Sequence, residues 1–160
     1  MICNIQNFDA INKASNIIDK GGVIIYPTDT LYGLGVDATN TNAIKKLNDI
    51  KKREQVYSII VNSLVMLKKY AVITDSSMKI IKECLPGPFT LILNKKKSDL
   101  SNLVSLKLNT VGIRIPEHNF PLEIVKSLNR PIITTSVNIH GQKSLHDLNN
   151  ISKNFNKINI

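Results

Sequence analysis

Cysteine, histidine and aromatic residues are all scarce in this chain, and each scarcity argues against a class of protein. Its two cysteines, Cys3 and Cys84, stand far apart with no metal-ligand spacing around them. They argue against a disulfide scaffold and suit reduced thiols in the cytosol. Three scattered histidines, His118, His140 and His146, speak against a zinc site, and no metal ligands are assigned. Aromatic residues reach only 5%, which leaves few platforms for stacking single-stranded bases. No apolar run approaches the length of a membrane-spanning helix, and the opening MICNIQNFDAINKAS has no signal-peptide pattern. A cytoplasmic protein with no membrane partner is expected. The pattern G-x-x-x-x-G-K-[ST] is also missing, so a bound triphosphate would need separate cationic side chains to neutralise it.

What is present describes one domain, 1–160, long enough to bury a core. Hydrophobic residues at 42% and charged residues at 21% fit a soluble globular chain and not a disordered one. A formal charge of +9 invites a polyanion, either nucleic acid or a nucleotide triphosphate. Abundant Lys, Asn and Ile also fit drift in an AT-rich coding sequence, so the location of the charge matters more than its sum. Lys45, Lys46, Lys51, Lys52 and Arg53 crowd one short segment. Lys95–Lys97 lie between apolar stretches and read as a solvated loop.

Helical and strand patterns alternate. Residues 9–19 (DAINKASNIID) place Ile11, Ala14, Ile17 and Ile18 at helical spacing. Gly21-Gly22 breaks that pattern, and Val23–Tyr26 suits a buried strand. Thr39–Thr41 offers caps for a helix burying Ala43, Ile44, Leu47 and Ile50. Ser58–Val61 predicts a strand, and helices are expected over 63–71 and 75–84. LPGPFTLIL (Leu85–Leu93) is a turn feeding a strand, and Asn94–Asn102 a surface loop. Val111–Ile115 and Pro131–Thr135 predict strands flanking a helix over 120–128. The last twenty residues fit a weak helix or a frayed tail. The expected class is α/β, with polar chemistry on loops at strand ends.

The stretch VIIYPTDTLYGLGVDA (Val23–Ala38) ends in G-x-G-x-x-A, the dinucleotide fingerprint. A Rossmann turn needs the first glycine straight after the strand and a helix straight after the last. Here Pro27–Tyr32 intervene before Gly33, and the helix starts only near residue 40. The match reads as a coincidence.

Other residues make a better anion site. Lys51 and Arg53, at i and i+2 where the second helix ends, diverge in a continuing helix and converge in an extended exit. A planar Arg fork beside a Lys point charge suits phosphoryl oxygens. Cations also favour any helix C-terminus, so a solvated helix end remains open. Arg114 sits inside the apolar strand VGIRIP, where a guanidinium needs an anionic partner from protein or ligand. TTSVN brings Ser136 and Asn138, and PTDTLY brings Thr28, Thr30 and Tyr32, to strand ends. Each could be turn chemistry alone. Together they describe a polar crevice for a small anionic ligand beside a nucleotide.

YPTDTLYGLGVDA, the K-x-R of IKKRE, LPGPFTLIL, VGIRIPEH and TTSVNIHG, within residues 21–141, resemble the YrdC-like threonylcarbamoyl-AMP synthase family. The resemblance implies a single-domain, mixed, twisted sheet flanked by helices around a basic concave cleft, with 142–160 as a weakly structured tail. It implies that L-threonine, bicarbonate or CO2, and ATP become threonylcarbamoyl-AMP and pyrophosphate, with Mg2+. A downstream threonylcarbamoyl transferase complex would then modify an adenosine of tRNAs reading codons that begin with A, and tRNA contact is a further expectation. Residue by residue, the resemblance assigns ATP and catalysis to Lys51 and Arg53, and nucleotide contacts to Ser136 and Asn138. Threonine falls to Thr28, Thr30, Tyr32 and Arg114. Gly33 and Gly35 are expected to pack closely around the ligand.

Glu54 and Tyr57 stand where the family usually has proline and lysine, and Val137 where alanine is usual. Family members also continue through a further segment that completes the nucleotide site, for which few residues remain here, so a shortened C-terminus is expected. The competing class is a non-catalytic RNA-binding module using the same basic cleft.

Overall fold

The structure, a computed structural model, describes residues 3–138, 141, 143, 145, 147–155 and 158. Ile139 and His140 of TTSVNIHG, and His146, lie outside the described residues. The elements run α1 (Ala10–Asp19), β1 (Ile24–Tyr26), β2 (Gly33–Gly35), α2 (Thr41–Lys51), β3 (Ser58–Ile60), α3 (Leu64–Tyr70) and α4 (Asp75–Cys84). They continue with β4 (Leu91–Asn94), α5 (Asn102–Ser105), β5 (Thr110–Arg114), α6 (Asn119–Leu128), β6 (Ile132–Ser136) and α7 (Leu148–Asn154).

One six-stranded sheet has the order β1-β2-β6-β3-β5-β4. Only β3 and β5 are parallel, with Ile60 opposite Arg114; the other neighbouring strands pair antiparallel. A parallel pair needs a long crossover, and α3, α4, β4 and α5 all lie within it. The mixed sheet flanked by helices is the expected architecture. None of the described helices is long and apolar enough to cross a membrane.

Local chemistry explains the elements that frame the site. Asn40, between the two expected threonines, caps α2 by accepting the amides of Asn42 and Ala43. Ala43, Ile44 and Leu47 are fully buried on its inner face. The helix stops at Lys51 because Lys52 takes a left-handed conformation (φ 54°). The Arg53 amide then bonds back to the Asn48 carbonyl, which reverses the chain direction. Central strand β6 takes Ile132 and Ile133 into the core and leaves Thr134–Ser136 half-buried.

Two segments differ from the sequence-based expectation. GLG is strand β2, which no sequence pattern marked; it pairs with both β1 and β6. A Cβ on Gly35 would lie 2.5 Å from the Tyr26 ring, so that glycine makes room for a buried tyrosine. Asp37 of the same motif accepts from Thr39 and from Arg130 Nε at 2.6 Å, a structural tie between the β2–α2 and α6–β6 connections. Within the expected weakly structured tail lies α7, and Ile151, Phe155 and Ile158 join the core. Burying those apolar side chains outweighs the polar, Asn-rich composition of the segment.

Candidate functional site

Five segments build one polar pocket. The β1–β2 connection supplies Thr28, Thr30, Leu31 and Tyr32, and β2 supplies Gly33. Ser58, Arg114 and Thr134–Ser136 come from β3, β5 and β6, and Thr90 from just before β4. The pocket measures about 140 Å3, and side-chain hydroxyls dominate its lining.

Thr28 organises the loop that covers it. Its hydroxyl donates to the Leu31 carbonyl (2.7 Å) and accepts the amides of Thr30 and Leu31, a hydroxyl-centred turn. Thr30 extends the arrangement to Arg114, whose Nη1 donates to Thr30 Oγ1 at 3.3 Å. Arg114 Nη2 meets Asp29 Oδ1 at 2.5 Å, with both side chains 10% exposed. The anionic partner demanded by an arginine in an apolar strand is therefore Asp29. Arg114 Nε is buried, with no hydrogen-bond partner among the described residues.

Lys51 closes the neighbouring end of β6. It is 2% exposed, and its Nζ donates to the Ser136 carbonyl (2.9 Å) and to Asn138 Oδ1 (2.6 Å). Burial, with Arg53 nearby, lowers its ammonium from the ordinary 10.5 to about 8. Ser136 Oγ donates to the same Asn138 oxygen. Arg53 is exposed, and its Nε donates to Gln55 Oε1 (2.6 Å), while Gln55 Nε2 donates to Thr135 Oγ1 (3.2 Å). Lys51 bonds the end of β6 directly and Arg53 reaches it through Gln55, after a left-handed Lys52 that is neither a continuing helix nor an extended exit.

All eight singled-out residues gather here: Thr28, Thr30, Tyr32, Arg114 and Ser136 on the pocket, Lys51, Arg53 and Asn138 beside it. Sequence reasoning missed Asp29, Gln55, Ser58, Thr90, Thr134 and Thr135. The aspartate was legible in PTDTLY as the acid closest to Thr30; Gln55 and Ser58 carried no distinguishing pattern. Tyr57 lies beside Gln55 and Arg53. Its ring is buried and its hydroxyl donates to Asn48 Oδ1 at 2.7 Å, so this position belongs to the core and not to an anion site. Among the described residues no cluster of three or more His, Cys, Asp or Glu could cage a metal ion.

The family model for Sua5/YciO/YrdC domains, described as telomere recombination, matches residues 16–159. The chain belongs to that family. A Methanocaldococcus jannaschii protein is 39% identical to it over 137 residues, 84% of this chain and 63% of the relative. The threonylcarbamoyl-AMP synthase of Psychromonas ingrahamii is 33% identical over 150 residues, 91% of this chain and 78% of that protein. The crystal structure of Pyrococcus abyssi Sua5 complexed with L-threonine superposes with a TM-score of 0.88 at 30% identity. That superposition covers 99% of this chain and 47% of Sua5. This family member thus spans less than two thirds of the Methanocaldococcus relative and about half of the Sua5 chain.

Proposed function

We propose that this chain forms threonylcarbamoyl-AMP and pyrophosphate from L-threonine, bicarbonate or CO2, and ATP. One observation carries the reading. Ser136 lines the hydroxyl-rich pocket and also offers its carbonyl to Lys51 Nζ. An amino acid in the pocket would therefore lie one residue away from the cations that suit phosphates. The likeness to named synthases and to a threonine-bound Sua5 supports the same assignment.

Size divides the ligands. About 140 Å3 is well below the roughly 300–1,000 Å3 of sites for drug-sized ligands, so the pocket suits an amino acid and not a nucleotide. ATP would lie along the open side, against Lys51, Arg53, Ser136 and Asn138. Arg114 would take the threonine carboxylate, and Thr28, Thr30 and Tyr32 would surround its side chain and the nascent carbamate.

The chemistry asks for positioning and charge neutralisation. Threonine's neutral amine attacks the carbon of CO2 and loses a proton, giving an N-carboxylate. That carboxylate attacks the α-phosphorus in line, and the bond from the α-phosphorus to the bridging oxygen breaks with its electron pair. Pyrophosphate departs carrying the new negative charge, which Lys51 and Arg53 would offset. Mg2+ would enter with the triphosphate, whose oxygens supply much of its coordination. The product would pass to a threonylcarbamoyl transferase that modifies tRNA.

Pyrophosphate release from ATP tests the reading. It should require L-threonine and bicarbonate together. Release independent of either overturns the synthase assignment, and salt-sensitive RNA binding without turnover would replace it with a binding module.

A further inference from the structure

Resting on that reading, we infer that Asp29 is a positioning residue, which holds the Arg114 guanidinium in the orientation that receives the substrate carboxylate. Asp29 does not appear among the described residues lining the pocket, whereas its neighbours Thr28 and Thr30 do. Both of its carboxylate oxygens accept from protein donors. Oδ1 accepts from Arg114 Nη2, and Oδ2 accepts the Glu117 amide at 3.1 Å.

A guanidinium that is nine-tenths buried needs a counter-ion even when no ligand is bound. Asp29 meets that need from a fixed place, because the Glu117 amide on the β5–α6 connection anchors it. With Nη2 held by Asp29 and Nη1 on Thr30, the planar fork has no freedom to swing. Arg114 Nη1 and Nη2 each keep a further N–H beyond these two bonds. A carboxylate ligand meets a fork that is already aimed, so little ordering remains for binding to accomplish. The chain Glu117–Asp29–Arg114–Thr30 also pins the PTDTLY loop to the end of β5. The sequence hides this role, since Asp29 and Glu117 are 88 residues apart.

Calorimetric binding of L-threonine and of ATP, each measured separately, tests the inference. Asp29→Asn should weaken L-threonine by about tenfold or more, the scale of one charge-assisted hydrogen bond. ATP affinity should stay within about twofold, because Asp29 bonds Arg114 and the Glu117 amide, on the β5 side of the pocket. Asp29→Glu, which keeps the charge, should recover part of the lost threonine affinity. Weakened binding of both ligands marks a general loss of structure and overturns the inference. Tighter threonine binding by Asp29→Asn shows that Asp29 competes for Arg114, and overturns it too.

Because Asp29→Asn strands a buried cation, the Arg114→Gln and Asp29→Asn/Arg114→Gln variants complete a double-mutant cycle in which the double variant has neither ion. In the Arg114→Gln background, Asp29→Asn should change threonine affinity by less than about twofold, since Asp29 acts through Arg114. Additive losses overturn the inference and leave the synthase reading standing. Failure of the unaltered protein to bind L-threonine overturns both.

Discussion

Lys51 Nζ lies 2.6 Å from Asn138 Oδ1, which ties the last residue of α2 to the exit of β6 across 87 positions of sequence. Two carbonyl-type oxygens, one on Asn138 and one on the Ser136 backbone, hold an almost completely buried ammonium in place. Among the described residues, no carboxylate pairs with this ammonium.

Removing that charge should stop turnover. Lys51→Met keeps the length of the side chain, and Arg53→Ala removes the second cation. Each should cost about 2–4 kcal/mol of transition-state stabilisation, as does loss of a single preorganised donor. Threonine-dependent pyrophosphate release reads the effect, and threonine binding should be retained. Turnover unchanged in both variants would remove the phosphate role from this pair.

The same ammonium gives opposite pH dependences to binding and to stability. Its value in the folded protein is lowered to about 8, against an ordinary 10.5. Nucleotide affinity should therefore fall as pH rises through about 8 and the ammonium loses its proton. The desolvation burden on folding is complete below that pH, and is relieved as pH climbs toward the ordinary lysine value. Stability should rise across the window in which nucleotide affinity falls. Calorimetric titration with ATP and urea unfolding at matched pH check the two signs, and Lys51→Met should flatten both responses.

Tyr57→Phe tests the core beside the Arg53–Gln55 link. The substitution keeps the ring but leaves buried Asn48 Oδ1 without its 2.7 Å donor. Urea unfolding should show a loss of about 1–3 kcal/mol, the range for an unsatisfied buried acceptor. Turnover at temperatures well below the unfolding midpoint should be unaffected.

Gly35→Ala separates the two readings of GLGVDA. A methyl at that position overlaps the Tyr26 ring, and overpacking of this kind costs about 1–3 kcal/mol. The loss should appear in chemical denaturation. A change in ligand affinity with stability intact would return the glycine to a ligand-contact role.

Much of this protein was legible in its sequence because the signals were local. Apolar periodicity placed α1 and α2, and apolar runs placed β1, β3, β5 and β6, within a residue or two. Hydroxyl clusters and the arginine in VGIRIP marked the segments that meet at the pocket. Strand β2 escaped notice because three residues, two of them glycine, carry no periodicity; pairing with β1 and β6 makes it a strand.

The sequence by itself determined which residue types were available: two cations at a helix end, hydroxyls at strand ends, one arginine among apolar neighbours. Only the tertiary structure decided their partners. It gave Arg114 to Asp29, Lys51 to Asn138 and Ser136, and Gln55 to both Arg53 and Thr135. Apart from the short Arg53–Gln55 link, these partners lie 80 or more residues apart. Strand pairing and helix packing set those distances, and no local pattern of the chain encodes them.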